Sequence, residues 1–201
     1  FPAGHRLWLG MVGMHGTLAA NRAARECDLL LVCGARFSDR VAGSRNGFAP
    51  NAQVVHLDID HAEFDKNVPA AVRVAGDLSD SLSALAARAS RADHTSWVES
   101  VTALRREPAA DLSNPDSIPD PLAILQTLRR LTSDDTIVAT DVGQHQMWTA
   151  QHFPFNRPRT LLTSGGLGTM GYGLGAAIGA QCGMPDRRVV LISGDGSFHM
   201  N

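Results

Sequence analysis

Residues 188–197 read Arg-Val-Val-Leu-Ile-Ser-Gly-Asp-Gly-Ser, and this stretch decides the fold class of the chain. The first six residues form a short apolar run rich in β-branched side chains, which predicts a buried strand of a parallel sheet. The last four place Asp195 between two glycines at the carboxyl end of that strand. Glycines allow a sharp turn and the close approach of a phosphate, and a carboxylate oxygen is a ligand that Mg²⁺ prefers. An ordinary Asp-Gly turn is the alternative interpretation.

Apolar runs and helix-forming segments alternate along the rest of the chain. Strands are predicted at residues 28–33, 53–60, 72–75 and 136–140, and helices at residues 16–26, 78–89 and 121–131. Asp77 is the predicted N-cap of the second of these helices, and a glycine-rich helix precedes the final strand. Because strands that alternate with helices form parallel sheets, the predicted fold class is α/β, with two doubly wound, Rossmann-like domains.

The composition changes between residues 91 and 121, a polar segment that holds four prolines. Trp97, Val101 and Leu104 form an amphipathic patch in it, so we expect an interdomain linker that contains a helix. The chain begins at Phe1 in mid-pattern and stops inside the glycine-aspartate motif, which predicts an internal fragment in which both domains are truncated. The predicted segments are two domains and the linker between them, at residues 1–92, 120–201 and 93–119.

The bulk composition excludes some classes of partner. The chain has 201 residues, 44% of them hydrophobic, and a net charge of −2, so we expect neither nucleic acid nor an anionic membrane as a partner. Residues 160–185 carry no charge, and Gly171, Gly175 and Gly179 repeat at the spacing of a membrane-helix dimerisation face. Few large apolar side chains accompany these glycines, so a helix that packs closely on a sheet, a cofactor or a partner subunit is favoured.

Three cysteines are present, Cys27, Cys33 and Cys182, and they form no pattern with zinc-ligand spacing. Two of them lie in or beside apolar runs, which predicts buried free thiols and a reducing, cytoplasmic location. A missing N-terminus would remove any signal peptide, so the lack of one carries no information.

Two loops of the second domain combine the groups that a metal-bound diphosphate needs. Gly143, Gln144 and His145 follow the strand at residues 136–140, and residues 194–197 follow the last strand. Parallel strands place their carboxyl ends at one edge of a sheet, so these loops are expected to meet. Together they offer backbone N–H groups, an amide, an imidazole, a hydroxyl and one carboxylate. A hydrogen-bonded structural role is the alternative for His145.

Weaker signals lie elsewhere. Residues 164–173 form a glycine-rich loop that opens a helix, and its Met170 is equally compatible with a core residue. In the first domain a Gly-Ala-Arg sequence at residues 34–36 follows one strand and Asp58 ends the next, where nucleotide folds place a ribose-binding acid. A glycine-rich loop precedes the first helix, and Arg36 and Arg40 suit bidentate phosphate binding. The glycine spacing lacks a strict dinucleotide fingerprint, so these residues indicate a nucleotide site and no more.

Six motifs occur in one order along the chain: Gly-Met-His-Gly at residues 13–16, Gly-Ala-Arg-Phe-Ser-Asp-Arg-Val at 34–41, Val-His-Leu-Asp-Ile-Asp at 55–60, Val-Gly-Gln-His-Gln-Met-Trp at 142–148, Ser-Gly-Gly-Leu-Gly-Thr-Met-Gly at 164–171 and Gly-Asp-Gly-Ser at 194–197. The series resembles the large catalytic subunit of acetohydroxyacid synthase, also called acetolactate synthase, over essentially the whole chain. The string at residues 143–148 is the most diagnostic, since the Gly-Asp-Gly element is shared by the wider thiamine superfamily.

The resemblance implies binding sites for thiamine diphosphate, Mg²⁺ and FAD. The expected contacts of the diphosphate are Gly143, Gln144, His145, Gly196 and Ser197, and those of the aminopyrimidine are Gly168 and Met170. Asp195 is the expected Mg²⁺ ligand. The expected FAD contacts lie in the first domain and are Gly13, Met14, His15, Gly34, Ala35, Arg36, Arg40, Val41, Asp58, Gly76 and Asp77.

The chain departs from the family pattern at two positions. Ser38 stands where an acidic residue is common, which changes one expected FAD contact. Gly175 replaces a proline, which is expected to loosen the start of the glycine-rich helix.

The resemblance implies an enzyme that condenses two pyruvates to 2-acetolactate, or pyruvate and 2-oxobutyrate to 2-aceto-2-hydroxybutyrate, with release of CO₂. The implied pathway is branched-chain amino-acid biosynthesis, and the implied assembly is a homodimer or larger, with the active site at a subunit interface and a small regulatory subunit as a further partner. In the family the glutamate that activates the cofactor lies in an N-terminal domain, so we expect no catalytic residue here and no activity of the chain alone. The alternatives are a pyruvate oxidase or glyoxylate carboligase, which share the architecture, or a non-catalytic nucleotide-binding module.

Overall fold

The computed structural model describes residues 1–44, 47–105 and 120–201. The chain divides into two compact units, Leu9–Arg106 and Phe1–Trp8 with Glu107–Asn201. Each contains a three-stranded sheet whose strands all run parallel. We call them the β1–β3 unit and the β4–β6 unit after their strands. The predicted α/β class is confirmed.

The β1–β3 unit contains α1 (Leu18–Glu26), β1 (Leu29–Cys33), α2 (Asp39–Ala42), β2 (Gln53–Asp58), a 3₁₀ turn (His61–Glu63), β3 (Val72–Ala75), α3 (Leu78–Arg88) and α4 (Thr95–Thr102). Its strands lie in the order β1-β2-β3. Cys33 pairs with Leu57, and Asp58 pairs with Ala75, so the three strands end at the same edge of the sheet.

Short polar side chains cap two helices of this unit, α1 and α3. The Thr17 hydroxyl accepts a hydrogen bond from Ala20 N at the start of α1, and the Asp77 carboxylate accepts one from Ser79 N at the start of α3. The N-cap role predicted for Asp77 is therefore confirmed. The core below the sheet is built from Val32, Phe37, Ala42, Val54, Val68 and Ala70.

Trp97 and Val101 of the predicted amphipathic patch lie in α4, which packs against α1, and Leu104 follows the helix. Val101 is the buried residue of α4. This helix thus lies in the β1–β3 unit. Residues 106–119 of the predicted linker lie outside the described residues, and the predicted domain limits stay a prediction.

The β4–β6 unit contains α5 (Pro121–Arg130), β4 (Ile137–Thr140), α6 (Gln144–His152), β5 (Leu161–Leu162), α7 (Tyr172–Gly183), β6 (Val189–Ile192) and α8 (Asp195–Phe198). Its strands lie in the order β5-β4-β6, so β5 pairs with one side of β4, and the chain then crosses over to place β6 on the other side. Such a reversal of strand order creates the crevice in which α/β sheets bind ligands. The central strand β4 is buried along its whole length and packs on Leu125 and Phe153.

Helix α7 has twelve residues, and no helix in the described part of the chain is long and apolar enough to cross a membrane. The helix begins at Tyr172, three residues before Gly175. Gly175 thus lies at the end of the first turn of α7, and the looser helix start expected from it stays a prediction.

The cysteines are free but not buried, which corrects the expectation from the sequence. Cys33 and Cys182 are exposed, and Cys27 is half-buried. Cys33 lies on the exposed face of β1, whose side chains alternate between faces, and Cys182 lies in the exposed last turn of α7.

Candidate functional site

The loops that follow β4 and β6 lie against each other, as the sequence predicted. Asp141 N donates a 3.0 Å hydrogen bond to the Ile192 carbonyl at the end of β6. In the opposite direction, the buried Ser197 hydroxyl donates a 2.8 Å bond to the Val142 carbonyl. The two motifs therefore form one surface at the carboxyl edge of the sheet.

The imidazole of His145 lies between the two loops, in the first turn of α6. A Cβ at Gly143 would lie 2.9 Å from its Cε1, and a Cβ at Gly194 would lie 3.1 Å from its Nδ1. Any side chain at Gly143 would therefore collide with the ring, and one at Gly194 would crowd it. Both loop glycines are thus explained by the histidine that they enclose.

Burial lowers the pKa of His145, although the nearby Asp141 charge and a hydrogen bond to the Asp141 backbone act in the opposite direction. The imidazole is thus neutral near neutral pH. Its Nε2 is buried and has no hydrogen-bond partner within residues 1–44, 47–105 and 120–201. A buried ring nitrogen without a partner is costly unless a ligand completes it, so Nε2 fits a bound polar group.

Asp141 is a central residue of the site that the sequence did not reveal. Its side chain is 0% exposed, and Oδ1 accepts hydrogen bonds from Val142 N (2.8 Å) and Gly171 N (2.9 Å). Oδ2 accepts one from Gly173 N (2.9 Å). Burial acts to raise the pKa of Asp141, but these N–H donors together with Ser197 outweigh it and lower the pKa. A charged carboxylate thus holds the N-terminus of α7 against the end of β4.

The glycine-rich loop before α7 is largely exposed. Ser164 closes it, since its carbonyl accepts from Gly168 N and its hydroxyl accepts from Thr169 N, both at 3.0 Å. Leu167 at the tip is 94% exposed and Met170 is 42% exposed. Met170 is therefore not a core residue, and its side chain is accessible to a ligand.

Asp195 is exposed at the start of the short helix α8. In the described part of the chain no group of three or more His, Cys, Asp or Glu side chains is able to hold a metal ion. A cation at Asp195 would therefore depend on few protein oxygens. Mg²⁺ is commonly bound in this way, by one or two carboxylates with phosphate oxygens and water.

The β1–β3 unit gathers its predicted residues into two groups. The first lies at the sheet edge, where Gly34 N donates to the Leu57 carbonyl and Gly76 N donates to the Asp58 carbonyl. Asp58 is 7% exposed, and its Oδ1 accepts from Asp60 N at 2.9 Å. Ala35 and Arg36 follow Gly34 at this edge, and Asp77 follows Gly76.

The second group surrounds the loop before α1. Asn21 binds Gly13 twice, since its Oδ1 accepts from Gly13 N (2.7 Å) and its Nδ2 donates to the Gly13 carbonyl (2.9 Å). Met14 N donates to the Arg40 carbonyl, and a Cβ at Gly13 would lie 2.5 Å from that oxygen. Gly13 is therefore required by close packing. The sequence gave no signal for Asn21.

A cavity of about 360 Å³ lies beside this loop, a volume typical of small-molecule sites. Its lining includes Gly13, Met14, Arg40 and Val41 from the prediction, and Asn21, Arg25 and Phe48 in addition. His15 is half-buried in the same loop but is not part of the lining.

Two family models match the chain. Residues 1–85 match the central domain of thiamine pyrophosphate enzymes, and residues 141–201 match the C-terminal TPP-binding domain of the same enzymes. The second match begins at Asp141 and contains the whole surface formed by the β4 and β6 loops.

Individual proteins resemble the chain along its whole length. It is 51% identical over 200 residues to the acetolactate synthase isozyme 2 large subunit of Escherichia coli, covering 99% of this chain and 36% of that protein. It is 46% identical to the probable acetolactate synthase large subunit of Methanocaldococcus jannaschii (100% and 36% covered) and to acetolactate synthase 1, chloroplastic, of Nicotiana tabacum (100% and 31%). The chain thus spans about a third of the length of these relatives.

Proposed function

The chain belongs to the thiamine pyrophosphate enzyme family, and we propose that it forms part of the large catalytic subunit of an acetolactate synthase. The proposed reaction condenses two pyruvates to 2-acetolactate, or pyruvate with 2-oxobutyrate to 2-aceto-2-hydroxybutyrate, with release of CO₂. The observation that carries the proposal is the identity of 46–51% over nearly the whole chain to relatives of that name from a bacterium, an archaeon and a plant.

Thiamine diphosphate, when bound, supplies the electron sink that decarboxylation of a 2-oxoacid requires. We assign its diphosphate to Gly143, Gln144 and His145 together with the backbone of Gly196 and Ser197. The buried Nε2 of His145, which has no partner among the described residues, supports this assignment: because the ring already shares its Nδ1 proton with the Asp141 backbone, a phosphate oxygen beside Nε2 would favour a second proton there, which Nε2 would donate to the phosphate. The Ser197 hydroxyl already donates to the Val142 carbonyl, so the backbone N–H of Ser197 is the donor assigned to the diphosphate.

The aminopyrimidine of the cofactor is assigned to Gly168 and Met170. Both residues are exposed on the loop that Ser164 closes, and Gly168 has a φ of 65°, which favours glycine. An apolar, flexible methionine side chain suits contact with a flat ring.

Asp195 is the proposed Mg²⁺ ligand, since its carboxylate is exposed beside the loop assigned to the diphosphate. In the full-length enzyme, Asp195→Ala should abolish Mg²⁺-dependent binding of thiamine diphosphate, because a site with few protein oxygens cannot lose its carboxylate. Asp186→Ala is the matched control: this exposed acid lies three residues before β6, whereas Asp195 lies three residues after it. Unchanged cofactor affinity in Asp195→Ala would overturn the assignment.

FAD is assigned to the β1–β3 unit, along the sheet edge and the cavity beside Gly13. At the sheet edge, Asp58 accepts from Asp60 N through Oδ1 and keeps Oδ2 for a ligand. The cavity is lined by Arg25 and Arg40 together with one carboxylate, that of Asp39. Condensation of two oxoacids needs no net electron transfer, so the proposed role of the flavin is structural. Removal of FAD should lower both stability and activity, whereas flavin reduction at the turnover rate would support an oxidase instead.

The proposed assembly is a cytoplasmic homodimer or larger oligomer with the active site at a subunit interface, joined by a small regulatory subunit. Gel filtration of the full-length enzyme with and without such a subunit tests this assembly.

The decisive experiment measures acetolactate formation from pyruvate by the full-length enzyme, with and without thiamine diphosphate and Mg²⁺. Activity that requires both is expected. Peroxide formation from pyruvate would favour a pyruvate oxidase, and condensation of glyoxylate would favour a glyoxylate carboligase. Flavin binding with no thiamine-dependent reaction would favour a nucleotide-binding module.

A further inference from the structure

Asp141 joins two segments that lie far apart in the sequence. Its carboxylate accepts from Val142 N, at the start of the segment assigned to the diphosphate. It also accepts from Gly171 N and Gly173 N, which lie 30 and 32 residues after Asp141 in the sequence. A Cβ at Gly173 would lie 2.7 Å from Asp141 N, so the two backbones touch at this point.

The carboxylate also occupies the donors at the N-terminus of α7. Helix N-termini attract anions through their free N–H groups, but here two of these groups already donate to Asp141. A cofactor diphosphate is therefore excluded from Gly171 N and Gly173 N and is left to the loops after β4 and β6. The segment just before α7, which carries Met170, stays accessible to a cofactor.

We infer that Asp141 is a positioning residue that fixes the ring loop (residues 164–171) against the diphosphate loop (residues 142–145). The peptide group that joins Met170 to Gly171 donates to Oδ1, so this bond sets where the main chain of Met170 lies relative to β4. Asp141 is fully buried, so in this assignment its side chain touches neither half of the cofactor. The inference rests on the proposed function, because it assigns the two loops to the two halves of thiamine diphosphate.

Asp141→Asn is the sharpest test, because it keeps the size of the side chain. An amide group placed at Oδ2 would face Gly173 N across 2.9 Å with donor against donor, and the flipped amide would face Val142 N and Gly171 N. The N-terminus of α7 should therefore move away from β4 and carry the ring loop with it. Two backbone contacts at the diphosphate loop do not depend on the Asp141 side chain: Asp141 N donates to the Ile192 carbonyl of β6, and the Val142 carbonyl accepts from the Ser197 hydroxyl in α8.

The experiment measures two affinities of the full-length enzyme in the presence of Mg²⁺, for thiamine diphosphate and for inorganic diphosphate. Asp141→Asn should weaken the binding of thiamine diphosphate by about tenfold or more. To bind the cofactor, the variant must return the N-terminus of α7 to β4 with one buried polar group unpaired, and the free-energy cost of that group lowers the affinity by about this factor. Inorganic diphosphate, which contacts the diphosphate loop alone, should keep its affinity within about twofold, a change near the usual limit for an unaffected site. Thr160→Val, which removes a buried hydroxyl that donates to the Arg157 carbonyl, is the control and should change neither affinity.

The outcomes separate the inference from the proposed function. Wild-type enzyme that binds no thiamine diphosphate would refute the function itself. Wild-type enzyme that binds it, with Asp141→Asn unchanged or with both ligands lost in parallel, would refute the positioning role alone.

Amide hydrogen exchange of the wild-type enzyme provides a test that needs no variant. Gly171 N and Gly173 N should be protected before any cofactor is added, since Asp141 already accepts from them. Amides that exchange freely and become protected only when inorganic diphosphate binds would overturn the inference, because the diphosphate would then be their acceptor.

Discussion

Each sheet has an aspartate at the carboxyl end of its central strand: Asp58 ends β2, and Asp141 directly follows β4. Asp58 accepts a hydrogen bond from Asp60 N, two residues along, and its Oδ2 lies 3.7 Å from His56 Nε2. Asp141 uses both oxygens, and two of its three backbone donors lie at the start of a distant helix. An aspartate at a strand end that makes only local hydrogen bonds keeps one carboxylate oxygen for a ligand. An aspartate whose two oxygens both accept from backbone amides holds distant segments of the fold together, and we call such a residue a structural joint.

The two sheets also differ in strand order, and this difference matches the difference between the two aspartates. In the order β1-β2-β3 each strand end is tied to its neighbour by backbone bonds, from Gly34 N and from Gly76 N. In the order β5-β4-β6 the chain reverses at β4, so segments from both sides converge on one strand end. A side chain that accepts from several directions is needed there, and Asp141 provides it.

Substitution of the two acids by alanine should give the largest contrast. Asp141→Ala should lower the free energy of unfolding by about 3 kcal/mol, because several buried backbone donors lose their acceptor at once. Asp58→Ala should cost about 1 kcal/mol, since one local hydrogen bond is lost. Urea denaturation of both variants beside the wild-type protein measures the difference. Equal losses would show that Asp58 is as much a structural joint as Asp141.

A substitution in α7 also disrupts the contact between this helix and β4, and it leaves the charge of Asp141 in place. Gly173→Ala should destabilise by about 2 kcal/mol, because its Cβ would overlap the Asp141 backbone and overpacking of this kind typically costs 1–3 kcal/mol. Gly179→Ala on the same helix is the control, as its Cβ would meet no atom within 4 Å. Thermal unfolding of the two variants compares them, and a Gly173→Ala protein as stable as the control would mean that α7 moves freely against β4.

The pattern of the sequence was sufficient for five of the six strands in the described residues and for the meeting of the two loops, whereas the two-residue strand β5 was not predicted. Residues 29–33 and 189–192 are apolar runs that indicate a strand from local sequence alone, and parallel strands end at a common edge of a sheet. His145 was found because it follows a strand and a glycine. The enclosure of its ring by Gly143 and Gly194 was not predictable from the sequence, since Gly194 is remote from His145 along the chain.

The residues that the sequence did not reveal act through long-range or backbone contacts. Asp141 looks like any polar residue after a strand, and its partners lie 30 and 32 residues away. Asn21 binds the backbone of Gly13, which has no side chain to suggest a partner. The cysteines were misplaced because an apolar run does not say which face of a strand or helix is covered, and Cys33 lies on an open face of β1.

Mild acid should weaken the β4–β6 unit through its histidines while Asp141 stays charged. Burial lowers the folded-state pKa of His145 and of His152 below 6.5, so the unfolded chain takes up protons first. Their contribution to stability is complete above pH 6.5 and is lost as the pH falls from there through the folded-state pKa. The folded-state pKa of Asp141 lies below 3.8, so its contribution is lost only in stronger acid.

Urea denaturation of the cofactor-free protein at several pH values between 5 and 7.5 measures this effect. His145→Gln should reduce the slope of stability against pH, and His152→Gln should reduce it separately. A slope that both variants leave unchanged would locate the acid sensitivity elsewhere.

The smallest expected effect is a gain of stability at Gly175, two residues beyond the joint on the same helix. Gly175 is exposed inside α7, and a Cβ there would meet no atom within 4 Å. Gly175→Ala should therefore stabilise by about 0.5–1 kcal/mol, because alanine loses less backbone freedom than glycine when a helix forms. Thermal unfolding of Gly175→Ala and of Gly173→Ala should give Tm shifts of opposite sign, although both variants replace a glycine of α7 by alanine and lie about half a turn apart. A loss at Gly175 would mean that another surface already packs against this side of α7, and the contrast between the buried joint and the open helix would then fail.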